Sequence, residues 1–537
     1  MSRSNHHVEL MRNPLANKSI RAATLAGALL LSPILGCTDL TEVPKSAITP
    51  DQYYKTESEI VGGLASVYAG MQQVVQNGYD IAEISTDEIV VPTRGGDWYD
   101  NGQWLDLHGQ TFNPNSTATL AFGEGAWTSM FQGVARANVL LDALQNVDFA
   151  AKKTVIAEIR TLRAFYYFEL QDLFGGVPIA TDIAVTARPA KTRAEVFAFI
   201  ESELKAARPD LPVTWPLNMN GRMTQGAVDA ILASLYLNAQ VFTGTVTTAG
   251  LQKGTAHWQD AIDASNRIIN SSAGYTLMSD WRKNFTADNN TAAEIIMAAK
   301  FVAADGQGLD FLMRSLHYNQ YTPSPWNGFS ALADTYFAFN SNDIRKQIFL
   351  SGPQVNLITG APIFTRAGNP LIFDPNIIDI TAAPENAGAR IDKWSVDPAH
   401  VGTNSGNDFA TFRLGEIYLI KAEAMNELGQ TAQAVALVNS TTRARAFAGA
   451  AECPSCSATP NPMVAADQQS FRDAILKERL FELTLEGKRR QDLIRMGKYT
   501  TGRWTFKTTD SPAYKVLFPI PQPEIDNNPM LKQNPGY

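Results

Sequence analysis

The chain of 537 residues carries 45 Lys and Arg against 53 Asp and Glu, a net charge of −8, with 45% hydrophobic and 18% charged residues. A weak charge spread over this length, with an ordinary aromatic content of 9%, excludes a disordered chain, because such chains combine low apolar content with high net charge. A pI near 5.4 and the lack of any Lys/Arg cluster exclude a nucleic-acid binder, whose affinity comes from concentrated positive charge.

In chain order, Arg12, Lys18 and Arg21 precede an apolar stretch from Ala22 to Gly36 that ends at Cys37. Its 15 residues fall short of the ~20 a membrane-spanning helix needs, so residues 1–36 are expected to be a signal peptide. Ile34-Leu35-Gly36-Cys37 is similar to a bacterial lipobox, in which the cysteine is diacylated and becomes the new N-terminus; Leu35 is bulkier than that pattern usually has. Lipidation at Cys37 would leave 37–55 as a lipidated tether, held stably because several acyl chains anchor where one is marginal. The alternative is an ordinary secretory signal with a chance cysteine.

Helical periodicity dominates the body. Helices are expected over about 57–76, 125–145, 192–207, 225–241, 257–270 and 468–497. Ile159, Leu162, Tyr166, Leu170 and Leu173 form an apolar stripe one helix face wide, stopped by Gly175-Gly176-Val177-Pro178. Ile417, Ile420, Ala424 and Leu428 form another, followed by Gly429 and a second run over 432–447. The segment from Ala422 to Ala436 is similar to a tetratricopeptide (TPR) unit: small residues where helices cross, a Leu-Gly turn, then Ala434 opening the partner helix. Between the helices lie Gly/Pro/Asn/aromatic stretches, 86–124, 301–330 and 351–408, and loops of this kind carry function on a rigid scaffold. Near the C-terminal end, Cys453 and Cys456 stand in Glu452-Cys-Pro-Ser-Cys-Ser457. Zinc would need about four ligands and the six histidines are scattered, while the Ala/Pro/Ser-rich surroundings do not make the helix start of a redox pair. In an exported chain the expectation is a local disulfide.

Four blocks together make a resemblance. They are Glu158-Ile-Arg160-Thr-Leu-Arg163-Ala-Phe-Tyr-Tyr-Phe-Glu-Leu-Gln-Asp-Leu-Phe-Gly175-Gly-Val-Pro178; Arg413-Leu-Gly-Glu416-Ile-Tyr-Leu-Ile-Lys-Ala-Glu423-Ala; Glu478-Arg479-Leu-Phe-Glu482-Leu-Thr-Leu-Glu486-Gly-Lys-Arg489-Arg-Gln-Asp492-Leu-Ile-Arg495; and the terminal run from Phe518 to Tyr537. From Cys37 to Tyr537 the chain resembles the SusD/RagB family of surface lipoproteins in bacterial glycan uptake. The resemblance implies a mostly α fold of stacked TPR-like helix pairs with a loop-rich irregular domain packed against them, divided here into 56–300 and 301–537. It also implies an oligosaccharide ligand and a TonB-dependent, SusC-like outer-membrane transporter over which the lipoprotein sits as a lid. The location implied is the outer membrane, lipid-anchored and facing outward.

The charged blocks have a physical meaning of their own. Glu478, Glu482 and Glu486 fall at i, i+4 and i+8, one face of a continuous helix, with Arg479, Arg489 and Arg495 available to pair with them or with carboxylates of adjacent helices. Ionised carboxylates consumed in ion pairs are not a glycosidase acid and base, one of which needs a raised pKa. Arg160 and Arg163 with Glu158 are expected to be structural in the same way. Without G-x-S-x-G, H-E-x-x-H or a Walker-type loop, no enzyme, cofactor or metal is expected.

Ligand chemistry is left to the loops. Arg94, Asp97, Trp98, Tyr99 and Asn101 lie among glycines between Asp87 and Trp104. A pyranose presents an apolar C–H face that stacks on an aromatic ring, while flanking amides, carboxylates and guanidinium groups bond its hydroxyls. Tyr318, Tyr321, Trp326 and Asn327 make a second cluster. Loop aromatics also plug the scaffold beneath them, and Trp104 and Phe329 fit that role. Trp98 and Trp326 are the expected ligand-facing rings. The competing functions are a TPR scaffold for a protein or peptide, disfavoured by the long aromatic loops because such adaptors use their bare groove, and a surface hydrolase, disfavoured by the missing apparatus.

Overall fold

The computed structural model describes residues 53–447 and 461–537. The signal peptide, Cys37, most of the tether, Cys453 and Cys456 therefore lie outside the described residues. Helix starts follow local capping chemistry: Thr56 accepts from the Glu59 amide while the Glu59 carboxylate accepts from the Thr56 amide, opening α1 (Glu57–Ile84), and Thr192 and Glu195 repeat this box. The N-terminal helices continue as α2 (Glu124–Ala143), α3 (Lys152–Phe174), α4 (Arg193–Ala207), α5 (Gln225–Leu237) and α6 (Trp258–Ile269). Successive helices pack as neighbours, α1 on α2, α2 on α3, α3 on α4, and α5 on α6. Small residues permit the close crossings. Cβ atoms at Gly70 and Gly133 would fall 2.5 Å from the Tyr166 hydroxyl and ring respectively, and that buried hydroxyl donates to the Val67 carbonyl.

The stack continues with α7 (Leu414–Glu427) against α6, followed by α8 (Thr431–Ser440) and α9 (Gln468–Leu483), both packed on α7. Gly429, at φ 80°, ends α7 in a left-handed turn in which the Gln430 amide donates to the Met425 carbonyl at 2.9 Å, the glycine C-cap read from the Leu-Gly pair. Two expected continuous helices are broken. The run 432–447 divides at Thr441, with φ −121° and ψ −103°. The run 468–497 divides after Leu483: Leu485 at φ 68° and Gly487 at φ 75° turn the chain before α10 (Arg489–Arg495). Glu486 therefore leaves the face it was expected to share with Glu478 and Glu482. The turn is held from below, where the Leu485 amide donates to Glu88 at 2.7 Å and the Gly487 amide donates to Glu83.

Beneath α9 the charged blocks form a buried network. Arg413, its side chain 1% exposed, meets Glu294 at 2.8 Å, Glu482 at 2.5 Å and Glu486 at 2.8 Å. Arg345 meets Glu478 and Glu482 at 2.8 and 2.9 Å, and Lys393 meets Glu486 at 2.6 Å. Burial alone would raise the Glu482 carboxyl, but Arg445, Arg413 and Arg345 overcome it and hold that group well below the usual carboxylate range. The arginines of the same block pair elsewhere, Arg479 with Asp492, Arg489 with Asp87, and Arg495 with Glu423. Arg160 and Arg163 both turn to Glu203, and Glu158 takes Arg222 instead. Every member of the three blocks named here is spent on structure.

Short antiparallel ladders tie the irregular segments to the stack. β2 (Ile295–Ala299) pairs with β4 (Phe409–Arg413). β1 (Ile89–Val90) pairs with β3 (Ser330–Ala331), in register Ile89 to Ala331 and Val90 to Ser330. This second ladder brings the aromatic stretch after residue 86 against the one ending at residue 330. Among the described residues no helix is long and apolar enough to cross a membrane.

Candidate ligand-binding surface

Directly after β1 the chain makes a tight reversal in which Arg94 and Asp97 exchange backbone hydrogen bonds at 3.0 Å, with Gly95 at φ 63°. The reversal sends the two side chains opposite ways. Arg94 points inward and donates to Ser330 Oγ at 3.0 Å and the Ala387 carbonyl at 2.7 Å, and its burial pushes its pKa down to about 10. Asp97 points outward, its side chain 44% exposed, and accepts from the Tyr318 hydroxyl at 2.5 Å.

The next residues carry a concentration of backbone strain. Trp98, Asp100 and Asn101 adopt φ of 64°, 41° and 55°, a region that costs a bulky side chain of order 1–3 kcal/mol and persists only where its surroundings over-determine it. The surroundings are visible. The Trp98 indole N–H donates to the Trp326 carbonyl at 2.7 Å, and its ring lies on Gly328, where a Cβ would fall 2.4 Å from the indole. Trp104 and Phe329 meet the same indole edge-on at 5.5 and 5.7 Å, and Asp100 Oδ2 accepts from the Trp104 indole at 2.7 Å. The strain thus seats Trp98 half-buried across the junction of the two loops and lifts Tyr99 into solvent, 56% exposed. Asn101 is exposed beside it.

From the second loop Trp326 is half-buried and Tyr318 stands beside Asp97. Asn327 and Tyr321 lie behind this surface rather than on it. Asn327, at φ 52°, accepts from Arg390 Nε and NH2 at 3.0 and 2.8 Å through Oδ1 and donates to the Glu385 carbonyl at 3.2 Å. The buried Tyr321 ring stands 4.9 Å from His400. Arg94, Tyr321 and Asn327, expected from sequence to meet ligand, are therefore committed to interior partners and hold the loops in place. Trp104 and Phe329 are buried plugs. One surface residue was missed from sequence: Arg366, from a distant loop, lies over the Tyr318 ring at 3.7 Å from its centroid and reaches Asp97 at 3.4 Å. No local motif announces it, because its place depends on tertiary packing.

The surface offers half-exposed indoles, an exposed phenol and exposed carboxylate and amide groups, the donor and acceptor mixture that suits a polyhydroxylated ligand with an apolar face. Among the described residues no group of three or more His, Cys, Asp or Glu side chains is arranged to hold a metal ion. A separate cavity of about 350 Å³, lined by Trp215, Tyr275, Met223, Asn220, Lys300 and Asp408, shares no residue with this surface.

Fold and sequence comparisons agree on the class of protein. A family model described as SusD family matches residues 367–537, and one described as starch-binding associating with outer membrane matches residues 49–237. The chain belongs to the SusD/RagB family. It is 26% identical to a SusD-like protein of Formosa agariphila over 93% of this chain and 96% of that one. It is likewise 26% identical to the starch-binding protein SusD of Bacteroides thetaiotaomicron, over 86% of this chain and 85% of that one. Among solved structures, a laminarin-binding SusD-like protein superposes with a TM-score of 0.69 at 24% identity, covering 90% of this chain and all of the other. A SusD-like protein of Bacteroides fragilis superposes with a TM-score of 0.70 at 20% identity, covering 91% and 98%. The helical, TPR-like fold is the one these structures share.

Proposed function

We propose that the chain is a non-enzymatic glycan-binding lipoprotein of the outer membrane, which captures an oligosaccharide on the surface built by Asp97, Trp98, Tyr99, Asn101, Tyr318 and Trp326 and passes it to a TonB-dependent, SusC-like transporter for which it acts as a lid. The observation that carries this reading is the strained Trp98–Asn101 segment pinned to the Trp326 carbonyl, because strain of that kind is retained where it positions side chains for a task. Arg94, Tyr321 and Asn327 serve it from behind. The family description and the starch- and laminarin-binding relatives support a sugar as the ligand. Anchoring through Cys37 and the division into 56–300 and 301–537 belong to the same proposal, as does a local disulfide between Cys453 and Cys456. Affinity electrophoresis of the secreted chain through a panel of neutral and acidic polysaccharides tests the ligand class, with a peptide library as the counter-arm; retardation by a polysaccharide supports the reading and binding to peptides alone removes it. Co-purification from native membranes in mild detergent tests the transporter, for which an interface well above ~2,000 Å² is expected.

A further inference from the structure

The aromatic platform is already occupied by one of the chain's own side chains. Arg366 sits in a tight reversal in which the Thr365 amide donates to the Asn369 carbonyl at 2.8 Å and the Gly368 amide to the Thr365 carbonyl at 2.9 Å. That backbone is fastened at two points. The Arg366 amide donates to Glu385 Oε2 at 3.0 Å, and the Asn319 side-chain amide donates to the Phe364 carbonyl at 2.8 Å. Glu385 in turn lies 2.9 Å from His317 Nε2, so the reversal is tied to the loop that carries Tyr318. The side chain, by contrast, is held loosely. It is 59% exposed, pairs among the described residues with the half-exposed Asp97 at 3.4 Å, and lies over Tyr318 with its guanidinium carbon 3.7 Å from the ring centroid. Exposed ion pairs and exposed cation–π contacts are both weak.

We propose that Arg366 is the specificity-determining residue of this surface, a cover on the Tyr318 ring that an uncharged pyranose displaces in order to stack there. The inference rests on the glycan reading above. The ion pair with Asp97 selects against an acidic sugar. Among the described residues Asp97 is the acidic partner of the Arg366 side chain and Glu385 stands at the Arg366 amide, while the buried Arg94 and Arg390 behind the loops give their hydrogen bonds to neutral oxygens. A uronate or sulfate would have to compete with Asp97 for the guanidinium, whereas a neutral ring needs only the face that the guanidinium vacates. Removal of a side chain that touched ligand would weaken binding; removal of a cover strengthens it.

Two measurements on full-length protein, wild type and Arg366→Ala, test this. The first needs no glycan: hydroxyl-radical oxidation of Tyr318, which does not depend on ionisation of the phenol, followed by peptide mass spectrometry, is expected to run several-fold faster in the variant. The second is calorimetry with laminarihexaose, maltoheptaose and an oligogalacturonate of matched length. The variant is expected to bind whichever neutral sugar the wild type binds about 2- to 5-fold more tightly, the factor that corresponds to one exposed cation–π contact. Unchanged oxidation, weaker binding of a neutral sugar by the variant, or a wild-type preference for the oligogalacturonate would each overturn the inference. If no oligosaccharide binds either protein, the glycan reading fails, and the oxidation rates still decide whether Arg366 covers the ring.

Discussion

Two regions of this molecule spend charged and aromatic side chains in opposite ways. Under α9, Arg413, Arg345, Glu482 and Glu486 are buried, each with two or more ionic partners. On the platform, Asp97 and Arg366 are half-exposed and share a single long contact, Tyr99 reaches solvent, and the backbone beneath is strained at Trp98, Asp100 and Asn101. The lesson is that an abundance of carboxylates and guanidinium groups does not mark a site. In the first region every charge is consumed and the backbone turn at Leu485 is supported from below; in the second, polar capacity is left open and strain is used to hold it there.

The comparison predicts first that Arg413→Ala is the most damaging of these changes. It would remove the cation shared by Glu294, Glu482 and Glu486 and leave those three buried carboxylates to Arg445, Arg345 and Lys393, an excess of buried negative charge that costs about 3–5 kcal/mol, read as a lower denaturant midpoint, and an unchanged midpoint would dissolve the distinction between the regions. Trp98→Ala is intermediate because the ring belongs to both sides. It should weaken glycan binding by ~1–3 kcal/mol and also lower stability, by less than the ~3–5 kcal/mol that truncation of a fully buried Trp costs; calorimetry and chemical denaturation on one sample separate the two.

A third prediction concerns pH. Burial pushes Glu83 up to about 7, and Glu88 well above the usual range. A carboxyl with a folded pKa raised above its unfolded value contributes stability that is complete below the unfolded pKa and lost as pH rises through the folded one. Stability should therefore fall between pH 5 and 8, and Glu83→Gln should flatten that fall by up to about 1.4 kcal/mol per pH unit, the value of one proton. Denaturation curves at pH 5, 6, 7 and 8 check this; an unaltered slope would show that the buried carboxyl is not the titrating group. The smallest effect is on stability in Tyr99→Ala. The exposed ring should leave the denaturant midpoint within ~0.5 kcal/mol of wild type while binding weakens, and a destabilised variant would move Tyr99 to the other side of the comparison.

The helices were legible because apolar periodicity and capping residues are local properties, as at Thr56, Thr192 and Gly429. The break at Leu485 was not, because it depends on the amides of Leu485 and Gly487 reaching Glu88, just after α1, and Glu83, in its last turn, some four hundred residues away. The candidate surface was legible as a region and blurred within it. Composition located the two aromatic loops, but a reversal between Arg94 and Asp97 decides which of two neighbouring charged residues faces solvent, and the tertiary placement of Arg366 carries no sequence mark.

The most direct test of the account is a crystal structure of the protein with a bound neutral oligosaccharide. The account predicts sugar rings against Trp98, Tyr99, Tyr318 and Trp326, with the Arg366 side chain moved off the Tyr318 ring. A sugar seated instead in the cavity between Trp215 and Tyr275, with the aromatic loops unvisited, would contradict it.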